Sequence, residues 1–143
     1  MSISFTIPGH PVAQGRPKFA RMGKGVRAYD PKKSRDYKAT VQAHAVVAVA
    51  GRKPIEGPVR LVLEAYFPCP RSDYRKRKPR LARWHTKRPD IDNVVKGIKD
   101  ALSGVVWLDD SQVCRVECVK MIAAQGEAPR VTVQVDKCMP DHP

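Results

Sequence analysis

Acidic residues are the scarce charged group in this sequence: 14 Asp and Glu stand against 27 Lys and Arg, a net charge of +13 and a pI near 10.0. Such a chain needs an anionic partner or uses its charge for solubility, and nucleic acid is the commonest partner of that kind. A long apolar run is also missing. The longest, 43–50, falls far short of the ~20 residues that a membrane span needs. The first residues lack the apolar stretch of a secretory signal, so a cytoplasmic protein is expected. The four cysteines (Cys69, Cys114, Cys118, Cys138) form no CxxC pair, and the four histidines have no ligand spacing near them. Zinc is therefore not expected. Cys114 and Cys118 would share one strand face and are expected to be small, reduced core residues. No internal repeat or domain boundary is visible. The 143 residues, 42% apolar, are expected to form one domain over 1–143 around one core.

The apolar residues that are present fall into periodic blocks. Ile3, Phe5 and Ile7 alternate with polar residues over 2–7 and predict a half-buried strand, ended by Pro8, Gly9 and Pro11. The Gly-rich, basic stretch 14–29 reads as an irregular hairpin or mobile loop. A helix is predicted over 31–50, with Asp30 as N-cap, Pro31 at the first helical position and Gly51 as the stop. Its inward residues are Tyr37, Val41, Ala45 and Ala48 or Val49. Val59, Leu61, Leu63, Ala65 and Phe67 share one face of a strand over 58–67. Over 71–88, nine of the 18 residues are Lys or Arg and Asp73 alone is acidic, so a loop is expected there when no partner is bound. A helix with a Gly stop follows over 92–104. Two strands, 111–123 and 130–137, joined by Gln125-Gly126-Glu127, read as a hairpin. The order β-α-β-α-β-β predicts an α/β (α+β) two-layer sandwich, a mixed β-sheet covered by two main helices.

Because acids are scarce, their placement carries information. Five of the 14 (Asp90, Asp92, Asp100, Asp109, Asp110) fall within 21 residues, directly after the most basic stretch. On a helix from Asp92, the residues Val94, Val95, Ile98, Ala101, Leu102 and Val105 share an arc of about 120° and predict the buried face. Asp92, Lys96, Lys99 and Asp100 take the opposite side, and Asp90 in an extended approach points with Asp92. Asp109 and Asp110 enter the next strand, which would bring them toward the start of the helix if that strand ran beside it. Two carboxylates ~5 Å apart repel by about 3 kcal/mol at an effective dielectric of 20. A divalent cation reverses that repulsion. Magnesium takes hard oxygen ligands, commonly one or two protein carboxylates, and completes its shell with water and substrate phosphate. Lys96 could meet a nonbridging phosphate oxygen or the added charge of the transition state. The plainer alternative is that Asp92 or Asn93 is an N-cap and Asp92–Lys96–Asp100 a solvated ladder worth ~0.3–0.5 kcal/mol per pair. A calcium loop of the EF-hand type fails: counted from Asp90, position 6 is Val95 rather than Gly and position 12 is Ala101.

The run Arg88-Pro89-Asp90-Ile91-Asp92-Asn93-Val94-Val95-Lys96, then Asp100-Ala101-Leu102 and Gly104, then Trp107-Leu108-Asp109-Asp110-Ser111-Gln112-Val113, resembles the central signature of the RusA family of Holliday junction resolvases. Ile7-Pro8-Gly9 and Gly15-Arg16-Pro17 resemble the start of many phage and prophage members. The resemblance implies a RusA-like fold, a homodimer and Mg²⁺-dependent, paired symmetric nicking of four-way DNA junctions in recombination and repair, with Mn²⁺ able to substitute. It implies Asp90, Asp92 and Asp110 as metal-binding catalytic carboxylates and Lys96 as a catalytic lysine. Asn93, Asp100 and Asp109 take supporting roles, Asp100 orienting Lys96 and Asp109 tuning the site. The long basic segment 68–88 and the extended N-terminal loop depart from the family's pattern.

Arg75, Lys76, Arg77 and Lys78, with Lys87 and Arg88 leading into Asp90, would deliver phosphate-binding charge beside the acids. This suits a backbone reader, since no recognition helix or zinc finger is visible. Arg16, Lys18, Arg21, Lys24 and Arg27 make a second basic strip, where Phe19 and Tyr29 could stack on an unpaired base. Trp84 and His85 could stack on DNA or pack locally; Trp107 is expected in the core. A noncatalytic basic nucleic-acid-binding module, and less so a ribonuclease, are the competing readings.

Overall fold

Strict alternation makes Val59–Phe67 the axis of the fold: Val59, Leu61, Leu63, Ala65 and Phe67 are buried and the residues between them are half-buried. The computed structural model describes residues 2–15, 18–23, 25–29 and 31–140. In chain order the elements are β1 (Ser2–Pro8), β2 (Lys18–Met22), β3 (Gly25–Tyr29), α1 (Lys32–Val49), β4 (Val59–Phe67), β5 (Arg83–Trp84), α2 (Ile91–Leu102), β6 (Val113–Ile122) and β7 (Arg130–Lys137). Five strands form one mixed sheet in the order β1-β7-β4-β6-β5, and β2 pairs with β3 alone. Helices cover one face of the sheet, giving the two-layer α/β arrangement expected from the sequence. Ile3, Ile7, Leu61, Leu63, Val133 and Val135 from the sheet meet Val41, Ala45, Val94, Ile98 and Leu102 from the helices in one core.

The last two strands are not the expected hairpin. β4 stands between them, parallel to β6 and antiparallel to β7. The turn at Gly126 (φ +84°) carries the chain past the end of β4, where the Ala123 amide donates to the Phe67 carbonyl at 2.7 Å. The reason is the apolar face of β4, which is fully buried only when both of its edges are paired. A parallel pair needs a crossover, and α2 supplies it. At the start of β6 the register slips between Val59 and Arg60, leaving Cys114 as the extra residue of a bulge.

α1 starts one residue later than predicted, with Pro31 as N-cap; the expected cap, Asp30, lies outside the described residues. It stops at Ala50 and Gly51, both at positive φ. α2 runs from Ile91 to Leu102 rather than 92–104, with Gly104 (φ +84°) turning the chain. Val94, Ile98, Ala101 and Leu102 are buried as predicted, and Val95 and Val105 are half-buried against the core. Gly97 is buried as well. The amide of Gln14 lies 3.3 Å from where a Gly97 Cβ would sit, and donates to the Asn93 carbonyl at 3.0 Å, so the 12–14 segment lies directly on the helix. Trp107 is fully buried, as expected. The two cysteines of β6 are not core residues in the expected sense: Cys118 is half-buried and Cys114 is exposed, because β6 lies near the edge of the sheet. No helix among the described residues is long and apolar enough to cross a membrane.

Candidate active site

The loop before α2 is held in place rather than loose. Asp73 accepts from Arg83 Nη2 at 2.6 Å, and the Gln125 side chain accepts from the amides of Arg75 and Arg80 while donating to the Arg75 carbonyl at 2.9 Å. The stretch is largely irregular, as its charge and prolines predicted, and ion pairing with a turn-borne glutamine holds it in place. Clamped at its ends, the loop leaves Arg75, Lys76, Arg77 and Lys78 exposed at its tip, with Lys87 and Arg88 exposed beside Asp90. Arg16 and Lys24 lie outside the described residues, as do the side chains of Lys18, Arg27 and Tyr29. Phe19 is 71% exposed.

Asp90 is the N-cap of α2, but its carboxylate makes no capping hydrogen bond; its backbone carbonyl accepts from the amides of Asn93 and Val94 instead. The plainer reading made Asp92 or Asn93 the N-cap, and it fails because the helix begins at Ile91 and places both inside the first turn. It fails at the ladder too: among the described residues no ion pair joins Asp92 to Lys96 or Lys96 to Asp100. Asp90, Asp92, Asn93 and Lys96 are all exposed, and Asp100 is half-buried.

Asp90 and Asp92 open on a shallow cleft of about 480 Å³, walled by Trp84, His85, Cys118 and Lys120. Lys120 also lines this cleft, a position that the periodic pattern of the sequence did not single out. It stands at a core-facing position of β6, in step with Cys118 and Ile122, and turns its ammonium onto the carbonyls of Lys87 (2.7 Å) and Pro89. The signal was a lysine at an inward position of an otherwise apolar strand face. His85 packs rather than protrudes: its ring lies 4.5 Å from that of Phe67, and burial, then the nearby Lys120 charge, pull its pKa below 6.5. Trp84 is 68% exposed at the rim. Burial pushes the Cys118 thiol up to about 11.

Asp110 is elsewhere. α2 and β6 run in opposite directions, so the entrance of β6 lies at the far end of the helix, not at its start. Trp107, bridged to Ser103 and Ile55, donates from Nε1 to Asp110 Oδ1 at 3.0 Å. Gln112 donates to the carbonyls of Ile55 and Gly57 and accepts from the amides of Leu108 and Asp109. Asp109 caps this turn through the Ser111 amide at 2.9 Å, the bond that lowers its pKa. At about 3.3 Å per strand residue, the run from Val113 to Cys118 separates Asp110 from the cleft by on the order of 15–20 Å. Among the described residues no group of three or more His, Cys, Asp or Glu side chains is placed to hold a metal ion. One subunit thus brings Asp90 and Asp92 together and leaves Asp110 apart.

A family described as Endodeoxyribonuclease RusA matches residues 8–136. An "Uncharacterized protein YqaN" of Bacillus subtilis (strain 168) is 39% identical over 140 residues, 93% of this chain and 94% of that protein. A "Crossover junction endodeoxyribonuclease rusA" of Lactococcus phage r1t is 33% identical over 61 residues, 42% of this chain and 44% of the phage protein.

Proposed function

The chain belongs to the RusA endodeoxyribonuclease family, and from that premise we propose that it is a Mg²⁺-dependent, homodimeric nuclease that resolves four-way DNA junctions by paired symmetric nicks. The observation that carries this reading is Asp90: a carboxylate at a helix N-terminus that caps nothing, opening with Asp92 on a cleft beside a strongly basic loop. Hard oxygen donors in water-accessible positions suit magnesium, with manganese as a substitute. The residues that would hold the ion are Asp90, Asp92 and Asp110. Since Asp110 stands at the other end of α2, a site containing all three takes its Asp110 from a second copy of the chain. When bound, the metal supplies an activated water and neutralises charge on the scissile phosphate.

The chain's own residues position the DNA. Lys87 and Arg88 flank the acids, and Arg75, Lys76, Arg77 and Lys78 extend the charge along the backbone, as Arg16 and Lys18 do from the N-terminal strip; phosphate contacts fix register without reading bases. Lys96, one turn beyond Asp92 and unpaired within the described residues, meets the phosphate oxygens as negative charge builds. Asn93 and Asp100 support this face, and Asp109 shapes the turn that presents Asp110. Two nicks at symmetric positions require two sites related by a twofold axis, which is the physical case for the dimer. The test is a synthetic four-way junction incubated with Mg²⁺ or with EDTA. Paired nicks with Mg²⁺ alone are expected, lost in Asp90→Asn and Asp92→Asn while junction binding persists. Tight binding with no metal-dependent scission would instead identify a noncatalytic DNA-binding module.

A further inference from the structure

β6 is an inner strand over only part of its length. β4 pairs with it from Val113 to Ile122, whereas on its other side β5 meets only Met121 and Ile122, and the His85 amide bonded to the Lys120 carbonyl at 3.0 Å ends that ladder. Among the described residues nothing pairs with the outer edge of 113–119. An open edge of this length is a template for another strand, and soluble proteins usually guard one with prolines, lysines or a covering segment. This edge has neither proline nor lysine and carries Cys114, Val116 and Cys118, with the charged Arg115 and Glu117 between them. Val116 is 40% exposed, with Ile91 (43%) at the start of α2 and Leu108 (62%) just before β6 also open to solvent.

We propose that the outer edge of β6 is the homodimer interface, two copies of the strand pairing antiparallel about a twofold axis at Val116. Antiparallel pairing sets residues of like hydrogen-bonding type opposite each other, so the axis must pass through a residue and its own copy. The free edge 113–119 is centred on residue 116. Charge selects the same register. With the axis at Val116, Arg115 faces Glu117 of the second copy and Glu117 faces its Arg115; an axis at Arg115 or at Glu117 would oppose like charges. The Lys120 carbonyl points to the outer edge, so by alternation Cys118 and Val116 present their backbone groups there as well. Val116 and its copy then form a hydrogen-bonded pair, and Arg115 and Glu117 fall in the closer, non-hydrogen-bonded pairs. Within one subunit Glu117 already pairs with Arg115 at 3.7 Å and with Arg60 at 3.1 Å, and Arg115 and Glu117, 62% and 49% exposed, would extend that pairing across the axis.

The register has a consequence for the chemistry, and that consequence rests on the nuclease reading. It sets the start of one β6 against the Cys118–Lys120 end of the other, so that Asp110 of each copy arrives at the cleft holding Asp90 and Asp92 of its partner. Both sites form together, and neither forms in a monomer.

The surface is tested without reference to cleavage. Sedimentation should give a dimer mass for the wild type and a monomer mass for Val116→Lys, which sets two ammonium groups at the axis, with an unchanged far-UV circular dichroism spectrum. A Val116→Lys protein that stays dimeric overturns the proposal. A second measurement uses the wild type and needs no variant to fold. In this register Cys114 faces Cys118 of the second copy at a Cα separation of about 5.5 Å, within disulfide reach. Diamide, a two-electron oxidant, should produce a covalent dimer whose linked peptides contain Cys114 and Cys118. A dimeric wild type that gives no such link, or links only through Cys69 or Cys138, rules the interface out. A Cys114–Cys118 link in a protein that never nicks junctions keeps the interface and removes the nuclease reading. Mg²⁺-dependent nicking by a Val116→Lys dimer does the reverse.

Discussion

Asp90, Lys120 and His85 show how individual side chains set this site. A carboxylate at a helix N-terminus ordinarily caps it, a contribution of roughly 1 kcal/mol; here the Asp90 carboxylate does not, and Asp90 lines the cleft instead. Lys120 holds the carbonyls of Lys87 and Pro89 on the approach to Asp90, and on the nuclease reading it would act as a positioning residue. Lys120→Met should lower the cleavage rate by between ~10- and ~100-fold through misplacement of Asp90, with junction affinity within a factor of about two. Equal losses of rate and affinity, measured by single-turnover cleavage and titration, would instead make Lys120 a DNA contact. His85 gives a pH signature. Its folded-state pKa lies below 6.5, so below that pH the unfolded chain binds the proton more readily. Its contribution to stability is complete above about pH 6.5 and is lost as pH falls toward the folded pKa. Urea midpoints from pH 7.5 down to pH 5 should decline less steeply in His85→Phe than in the wild type.

At the scale of elements, the sequence was most legible where one face had to be buried. The face of α1 read from Tyr37, Val41, Ala45 and Val49 and that of α2 from Val94, Ile98, Ala101 and Leu102 both point into the core, and the alternation of β4 is the alternation of its burial. The basic stretch 14–29 does contain a hairpin, β2 with β3. Where partnership depended on a distant segment, local pattern failed. Nothing within 111–137 announces that β4 will lie between β6 and β7, because that pairing is decided by the buried face of β4. The loop 71–88 is the parallel case: its charge and prolines predicted a loop, but not the glutamine some 50 residues away in sequence that clamps it. Gln125→Ala should therefore speed tryptic cutting at 75–78 by at least ~10-fold, about 1.4 kcal/mol of local opening, while leaving the global unfolding midpoint nearly in place. Unchanged cutting would mean that the Asp73–Arg83 pair holds the loop without help.

At the scale of the whole molecule, the signature residues were legible as a set but not in their arrangement. A spaced group of aspartates after a basic run points to phosphate chemistry, yet spacing along one chain does not say which chain completes a site. The single subunit keeps Asp110 at the end of α2 away from Asp90 and Asp92, bound on one oxygen by Trp107. Shared sites would tie cutting to assembly, so that a lone subunit carries positive charge but no complete acid cluster. Mixing two inactive variants, Asp90→Asn and Asp110→Asn, and letting subunits exchange tests this most directly. If each site draws Asp90 and Asp92 from one copy and Asp110 from the other, a mixed dimer carries both changes in one site and leaves the second intact. Equal mixing should then restore nicking of a four-way junction to about a quarter of the wild-type site concentration, on random reassortment into half mixed dimers. A mixture that remains as inactive as either variant alone, with exchange verified, would contradict the account.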